Sequence, residues 1–180
     1  SNPLGLAKAK LFENLTLGRC LGDLRQWKLW VDKVDSEIDY YKAGTPCTDY
    51  ASLGKRLGCL GKKGGDLFLE QILFVAKTRP KIARLEMVPN AVDVNEGEEV
   101  LAVLQALEDL DYIVHAEVIA CWKHGDPTNR KRLMIIAIRS DIHARSKVEW
   151  AWPSEIFNPD CYPTARDIAV PDSGVPIQYW

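Results

Sequence analysis

The sequence predicts an α/β protein built on a sheet that is at least partly parallel. Segments typical of β-strands alternate with segments of helical periodicity, in the order strand, helix, strand, helix, strand, strand. Such alternation is typical of crossover connections, in which a helix returns the chain to the same edge of the sheet. The last part of the chain has no such periodicity and is rich in proline and tryptophan. We therefore expect one sheet with flanking helices and an irregular C-terminal extension.

The first half of the chain predicts a strand, a glycine-rich loop and a helix. Residues 38–43 are mostly bulky, as in a strand, and end at a glycine. Residues 44–65 contain six glycines, too many for a helix interior. Asp66 is a predicted N-cap, and the helix that follows should end at Arg79-Pro80 because proline cannot continue it. Helical spacing predicts a buried face made of Leu69, Ile72, Leu73 and Ala76.

The second half predicts a strand, a helix and two further strands. The first strand covers residues 81–86, and an amphipathic helix follows over 97–110. Its apolar stripe consists of Val100, Val103, Leu104 and Leu107. The later strands cover residues 112–121 and 132–138. The last is nearly all apolar, which is typical of a strand buried on both faces.

Composition excludes several classes of protein. The apolar fraction is 47% and the charged fraction 27%, as in ordinary soluble domains. A net charge of −2 provides no overall positive field for non-specific nucleic-acid binding. Five cysteines without a C-x-x-C pair argue against a disulfide framework and a zinc site, so we expect a reducing, intracellular compartment. No apolar run approaches the ~20 residues needed to span a membrane.

Three chemically competent groups lie at the ends of predicted strands. Cys47 follows the first strand, Glu86 ends the second, and Arg130 with Arg132 begins the last. Ligands of open α/β sheets bind outside the carboxyl ends of the strands, so we expect Cys47 and Glu86 to lie side by side. The alternatives are a buried cysteine filler, a surface carboxylate and a solvated run of charge.

These residues resemble the motifs of the DNA (cytosine-5) methyltransferases. Pro46-Cys47, followed by a loop with serine and glycine, resembles the family's nucleophile motif. Residues 86–88, Glu-Met-Val, resemble its Glu-Asn-Val, and residues 125–132 resemble its Gly-x-Pro-Gln-x-Arg-x-Arg. Gly22-Asp23 lies near the position of its third motif. The resemblance runs from about residue 21 to 141 and implies a partial Rossmann-like methyltransferase sheet.

The chain also departs from the family pattern. Residues 1–20 contain nothing similar to the family's Phe-x-Gly-x-Gly loop, and no target-recognition domain is visible. We therefore expect an α/β domain over residues 1–144 that is incomplete at its N-terminal side, and an extended tail over 145–180. Three motif positions carry other residues than the family's Gln, Asn and Gln, namely Thr48, Met87 and Thr128.

The resemblance implies a chemistry for each group. Cys47 would be the thiolate that attacks C6 of cytosine, and Glu86 would pair with N3 and the exocyclic amine. Arg130 would hold the O2 atom of the base, and Arg132 would support the catalytic loop. Asp23 and Pro46 would contact S-adenosylmethionine. Contacts to DNA phosphates would come from Ser52, Lys55, Arg56, Lys62 and Lys63.

The resemblance leaves several functions open. The first is a DNA-methylating catalytic segment that needs a second polypeptide for its cofactor half. The second is a non-catalytic regulator that binds DNA or a protein, and the third is methylation of RNA. An exposed sheet edge invites pairing with another chain, so we also expect a homodimer or a partnered form.

Overall fold

A computed structural model describes most of the predicted α/β region. The described residues are 23–34, 37–44, 65–126 and 128–156. Cys47, Pro46 and the five predicted phosphate-contacting residues lie outside these ranges. None of the helices in the described part is both long and apolar enough to cross a membrane.

The fold is a four-stranded mixed sheet with helices packed on it. The strands are β1 (Tyr40–Gly44), β2 (Ile82–Met87), β3 (Tyr112–Ala120) and β4 (Lys131–Arg139), in the spatial order β1-β2-β4-β3. β1 and β2 are parallel, whereas β4 is antiparallel to both of its neighbours. This topology confirms the predicted α/β class and the partly parallel sheet.

In the described part of the chain, three α-helices connect or follow the strands. They are α1 (Gly65–Thr78), α2 (Glu98–Asp109) and α3 (Ser140–Arg145). Short 3₁₀ helices also occur, among them Leu24–Leu29, Pro89–Gly97 and Cys121–His124. The helix α3 and the 3₁₀ helix that precedes α2 were not predicted from the sequence.

The main core lies between one face of the sheet and the helices α1 and α2. The strands contribute Ala83, Leu85, Met87, Leu133, Ile135 and Ala137. The helices contribute Phe68, Val75, Val100, Val103 and Leu107. The predicted apolar stripe of α2 is thus the buried one, with Leu104 packed at its margin. Burial of this apolar surface is the main driving force that holds the helices on the sheet.

The predicted buried face of α1 is wrong at Leu69 and Leu73, whereas Ile72 packs against the main core as predicted. Leu69 and Leu73 are 46% and 47% exposed, whereas Phe68, Gln71 and Val75 are buried. Both sets fit helical spacing, because α1 carries apolar residues on more than one side. The sheet and a second core cluster of Trp27, Val31 and Phe74 select the rotation of the helix.

The opposite face of the sheet carries more polar side chains. Alternate strand residues point to opposite faces. One row across this face contains Lys42, Arg84, Ile136 and His115, and the next contains Gly44, Glu86, Met134 and Glu117. Charged residues in the middle of a sheet face are unusual in a buried interface. This face is therefore the one available to a ligand.

The segment after α3 crosses part of this polar face. Trp150 stacks on His115 with ring centroids 5.4 Å apart, and Trp152 meets Trp150 edge-on at 5.7 Å. The amide of Ile156 donates to the carbonyl of Lys123 at 2.9 Å. Residues 146–156 thus run as irregular chain against the sheet, while the boundary expected at residue 145 stays a prediction.

Candidate active site

Glu86 lies at the carboxyl end of β2 and forms the centre of the site. It pairs in register with Gly44, the last residue of the parallel neighbour β1. Its side chain is only 22% exposed. A Cβ atom at Gly44 would lie 4.0 Å from Oε2 of Glu86, so the absence of a side chain at Gly44 leaves the β1 side of the carboxylate open.

Two arginines from the start of β4 bind the same oxygen of this carboxylate. Arg130 Nη2 donates to Oε1 of Glu86 at 2.9 Å, and Arg132 Nε donates to it at 3.1 Å. Arg132 Nη1 also donates to the carbonyl of Lys131 at 2.7 Å. Hydrogen bonds between ionised groups are among the stronger ones in proteins. The two arginines are therefore part of a built cluster and not a solvated run of charge.

The cluster lines a cavity of about 370 Å³ on the polar face of the sheet. Ile119 and Met134 give the cavity apolar walls, and Cys121, His124 and Pro153 also line it. A few polar groups converging in a largely apolar pocket of this size are typical of a small-molecule site. This arrangement can bind a flat polar ring through hydrogen bonds to its edge.

The whole sequence was compared with known families. The model of the C-5 cytosine-specific DNA methylases matches residues 9–171. The chain belongs to this family. Its members are S-adenosylmethionine-dependent methyltransferases that act on DNA. The resemblance read from the three motifs is confirmed.

Individual relatives of the family show how much of the chain is shared. The Type II methyltransferase M.HhaI of Haemophilus parahaemolyticus is 28% identical over 86% of this chain. M1.ScrFI of Lactococcus lactis subsp. cremoris is 35% identical over 59% of it. The chain covers 44% and 28% of these two relatives, which is less than half of each.

A solved structure shows the same fold. The DNA modification methyltransferase encoded within an E. coli prophage superposes with a TM-score of 0.62 and 17% identity. The match covers 86% of this chain and 42% of that one. It confirms the Rossmann-like methyltransferase sheet predicted for this chain.

The predicted methyltransferase site residues fall into two groups. Glu86, Arg130 and Arg132 line one cavity, and their roles in the reaction stay predictions. The predicted nucleophile Cys47 lies outside the described residues, so its position beside Glu86 stays a prediction. The same holds for the remaining predicted contacts, Pro46, Ser52, Lys55, Arg56, Lys62 and Lys63.

Four further residues line the cavity and were missed by the sequence reasoning. They are Arg84, Cys121, His124 and Asp126. Arg84 could have been found, because it lies two residues before Glu86 on a strand and therefore shares its face. Cys121 and His124 belong to a 3₁₀ helix between β3 and β4. The sequence pattern did not predict that this helix lies beside the cavity.

Asp126 orders the turn that leads into the two arginines. Its Oδ1 accepts hydrogen bonds from the hydroxyl of Thr128 at 2.6 Å and from its amide at 2.9 Å. These bonds hold the pKa of Asp126 below its ordinary value. Thr128 stands where the family pattern has glutamine, and here its side chain serves the turn itself.

Asp23 does not line the Glu86 cavity. It precedes the 3₁₀ helix Leu24–Leu29, and its Oδ1 accepts from the amide of Arg25 at 2.9 Å. Arg25 in turn pairs with Asp66 in the first turn of α1 at 2.8 Å, which lowers the pKa of Asp66. Asp66 lies inside α1, since that helix begins at Gly65, two residues before the start at Leu67 that an N-cap at Asp66 predicts.

The described residues offer partial support for a cofactor site. Asp23 is exposed, and within the described ranges no hydrogen bond occupies its Oδ2. A carboxylate oxygen is a suitable acceptor for an exocyclic amine such as that of adenine. Asp23 therefore fits the group expected there. No group of three or more His, Cys, Asp or Glu suited to a metal ion occurs among the described residues.

Proposed function

We propose that this chain is the catalytic segment of a DNA cytosine-5 methyltransferase that works through a covalent adduct on Cys47. The observation that carries the proposal is the joint binding of Glu86 by Arg130 and Arg132 in a cavity at the sheet's polar face. Membership of the family supports the reaction type. The whole enzyme's activity remains part of the proposal, because the chain spans less than half of its relatives.

Cys47 acts as the nucleophile in this proposal. Its sulfur forms a bond to C6 of the cytosine, and the electrons of the C5–C6 double bond move to C5, which then accepts a methyl group. Loss of the C5 proton and departure of the thiolate restore the ring. Support comes from β1, because Gly44 precedes Cys47 by three residues and lies beside Glu86. Three residues of chain span at most about 11 Å.

Glu86 and the arginines orient the base in this reaction. A proton between Glu86 and N3 of the cytosine joins these two acceptors, and the carboxyl group also accepts from the exocyclic amine. Arg130 donates to O2, and Arg132 fixes the carboxyl group. Hydrogen-bond donors that are already ordered before the reaction cost no reorganisation in the transition state. The existing bonds from both guanidinium groups to Oε1 support this arrangement.

DNA must deliver its cytosine to this cavity out of the duplex. The cost of unstacking is a few kcal/mol, which contacts to the phosphates offset. We assign these contacts to Ser52, Lys55, Arg56, Lys62 and Lys63. Residues 55–63 support this role because they contain four basic residues and no acidic one.

Two residues would hold the cofactor, Asp23 and Pro46. S-adenosylmethionine supplies an electrophilic methyl group when it is bound. Asp23 offers the acceptor Oδ2 for an amine, as its exposed position supports. Pro46 adjoins the proposed nucleophile in the sequence, so it would bring the cofactor contact next to the thiol.

A covalent trapping experiment tests this proposal. The purified chain is mixed with S-adenosylmethionine and mixed-sequence DNA that contains 5-fluorocytosine, whose fluorine blocks release of the enzyme. We expect an increase in intact mass, with the chain alone or after addition of a second polypeptide that supplies the cofactor half, that is absent in Cys47→Ser and retained in Cys121→Ser, the matched cysteine of the cavity. An adduct formed by the chain alone would contradict the expected need for that second polypeptide. An adduct that persists in Cys47→Ser would refute Cys47 as the nucleophile.

We further propose that a second chain, either a partner subunit or another copy, pairs with β1. Within the described ranges β1 has a hydrogen-bonded neighbour on one side only, β2. An unpaired strand edge is a template for another strand. Light scattering during gel filtration should show a mass above that of one chain at high concentration, or on addition of the partner. A monomer under both conditions would contradict the proposal.

A further inference from the structure

Glu86 has donors on both sides of its carboxylate, which the pairing with Arg130 and Arg132 alone does not explain. These two arginines bind Oε1. Arg84 approaches from the other side, with its Nη2 4.0 Å from Oε2. That distance is too long for a hydrogen bond, so the donors of Arg84 are held near the carboxylate without being used by it.

The donors of Arg84 lack other acceptors in the described part of the chain. Its Nε is buried and makes no hydrogen bond there. Its neighbours across the sheet are Lys42 and Ile136, whose side chains offer no acceptor. A buried donor without a partner is costly, and Arg84 lines the cavity beside Glu86. The buried Nε is out of reach of a ligand, but the Arg84 side chain is 31% exposed, so its Nη groups can donate to an acceptor that arrives with the ligand.

The cavity presents three groups in a defined order. Arg84 is a donor, the ion-paired Glu86 is an acceptor, and Arg130 on the far side is again a donor. The Watson–Crick edge of uracil is the complement of this order, because it presents the acceptor O4, the donor N3–H and the acceptor O2. The same edge of cytosine presents a donor, an acceptor and an acceptor. Cytosine therefore places its amine next to the guanidinium group of Arg84, which is unfavourable because both groups are donors.

We propose that Arg84 is a specificity-determining residue that makes this cavity accept uracil as well as cytosine. The uracil N3–H donates to Oε2 of Glu86, and one ring carbonyl accepts from Arg84 while the other accepts from Arg130. The inference rests on the proposed function in one respect, namely that the Glu86 cavity receives a pyrimidine base.

Nucleoside binding tests the inference without DNA, phosphate or turnover. NMR titrations of the whole chain compare 2′-deoxyuridine with 2′-deoxycytidine. We expect deoxyuridine to bind at least as tightly as deoxycytidine. Arg84→Met should weaken deoxyuridine about tenfold or more, because a polar partner of the ring carbonyl is lost. Deoxycytidine binding should stay unchanged or become tighter, because its amine no longer faces a guanidinium group. The ratio of the two affinities is the readout, because a merely structural loss would change both alike.

A matched control and the other outcomes separate the two proposals. Lys42→Met removes the neighbouring cation of the same row and should leave both affinities unchanged, and thermal unfolding of each variant reports its folding. Binding of deoxycytidine alone, or an equal loss of both nucleosides in Arg84→Met, would overturn the role of Arg84 while the proposed function stands. Failure of both nucleosides to bind the wild-type chain would overturn the pyrimidine cavity itself.

Discussion

Arg130 and Arg132 bind the same oxygen of Glu86 but are held differently. The side chain of Arg132 is 24% exposed and also donates to the carbonyl of Lys131. That of Arg130 is 50% exposed and has one recorded hydrogen bond. Because two hydrogen bonds hold its side chain, Arg132 is the better placed of the two to order the carboxylate. In the proposed reaction Arg130 is the arginine that adjusts to the base.

This difference predicts unequal effects of lysine substitutions. Arg132→Lys should slow adduct formation with 5-fluorocytosine DNA at least tenfold more than Arg130→Lys. One ammonium group cannot reproduce the separate bonds that Nε and Nη1 of Arg132 make. Rates are followed by intact mass at saturating DNA, and circular dichroism verifies the fold of each variant. Equal rates for the two variants would show that the second anchor is irrelevant.

Glu86 itself should be needed for the chemistry and not for the fold. Glu86→Gln keeps the shape of the side chain but removes its charge, and we expect adduct formation to fall by about a hundredfold or more. Glu117→Gln, an exposed change in the same row of the sheet, is the control and should keep the wild-type rate. A Glu86→Gln variant that forms adduct at the wild-type rate would contradict the role of the carboxylate.

The helix α1 shows what periodicity can and cannot determine about an element. Its existence and its end near Pro80 were predicted, because proline and glycine act locally on the backbone. Its rotation was predicted wrongly, because apolar residues at several spacings fit a helix equally well. Contact with the sheet on one side and with the cluster of Trp27 and Phe74 on another decided the outcome.

The observed rotation of α1 predicts that alanine substitutions at two adjacent positions, Phe68 and Leu69, lower the free energy of unfolding by different amounts. Phe68→Ala should lower the free energy of unfolding by about 3–5 kcal/mol, because it empties a fully buried site in the core. Leu69→Ala, at the adjacent position, should cost less than about 1 kcal/mol because that side chain is 46% exposed. Urea unfolding measures both, and a larger loss for Leu69→Ala would mean that the helix faces the other way.

Trp150 stacks on His115, so we expect the docking of residues 146–156 to depend on pH. Burial lowers the pKa of His115, and the nearby His143 lowers it further. Below the ordinary histidine value of about 6.5, the unfolded chain therefore binds more protons than the folded one. The free energy of unfolding should fall as the pH decreases through this range and rise again as the pH increases.

Tryptophan fluorescence between pH 5 and 8 checks this prediction. As the pH falls, the wild-type chain should lose the fluorescence contributed by the stacked Trp150. His115→Gln should show no such change of fluorescence with pH. His143→Gln, which keeps the stacked ring, should leave a transition displaced to higher pH, because a charge that opposes protonation of His115 is gone. A transition that is unchanged in His115→Gln would assign it to another group.

Considered as a whole, the described sheet has two central strands, β2 and β4, and two edge strands, β1 and β3. β4 lies between β2 and β3, and its middle residues are buried, whereas β1 and β3 have one neighbour each in the described part. Edge strands open more readily than central ones, because fewer hydrogen bonds and contacts hold them. The proposed partner strand would make β1 open less readily and would leave the other edge strand, β3, unchanged.

Hydrogen exchange tests the arrangement of the whole sheet. Amides of Ile135 and Ala137 in β4 should exchange slowest, and the outward amides of β1 should exchange much faster in the isolated chain. Addition of a partner, or concentration to the dimeric form, should slow the β1 amides and leave the outward amides of β3 unchanged. Slow exchange at β1 in a dilute monomer would mean that its edge is already covered within the chain.

The sequence alone determined the order of the four strands and of the helices α1 and α2, because local backbone preferences depend on the residues of each segment. Motif spacing identified the family and singled out Glu86, Arg130 and Arg132 as candidate site residues. Tertiary structure decided the rotation of α1, the antiparallel insertion of β4 between β2 and β3, and the approach of Arg84 to the free side of Glu86. These depend on which surfaces pack together and on the register of strands far apart in the chain. Periodicity within one segment does not contain that information.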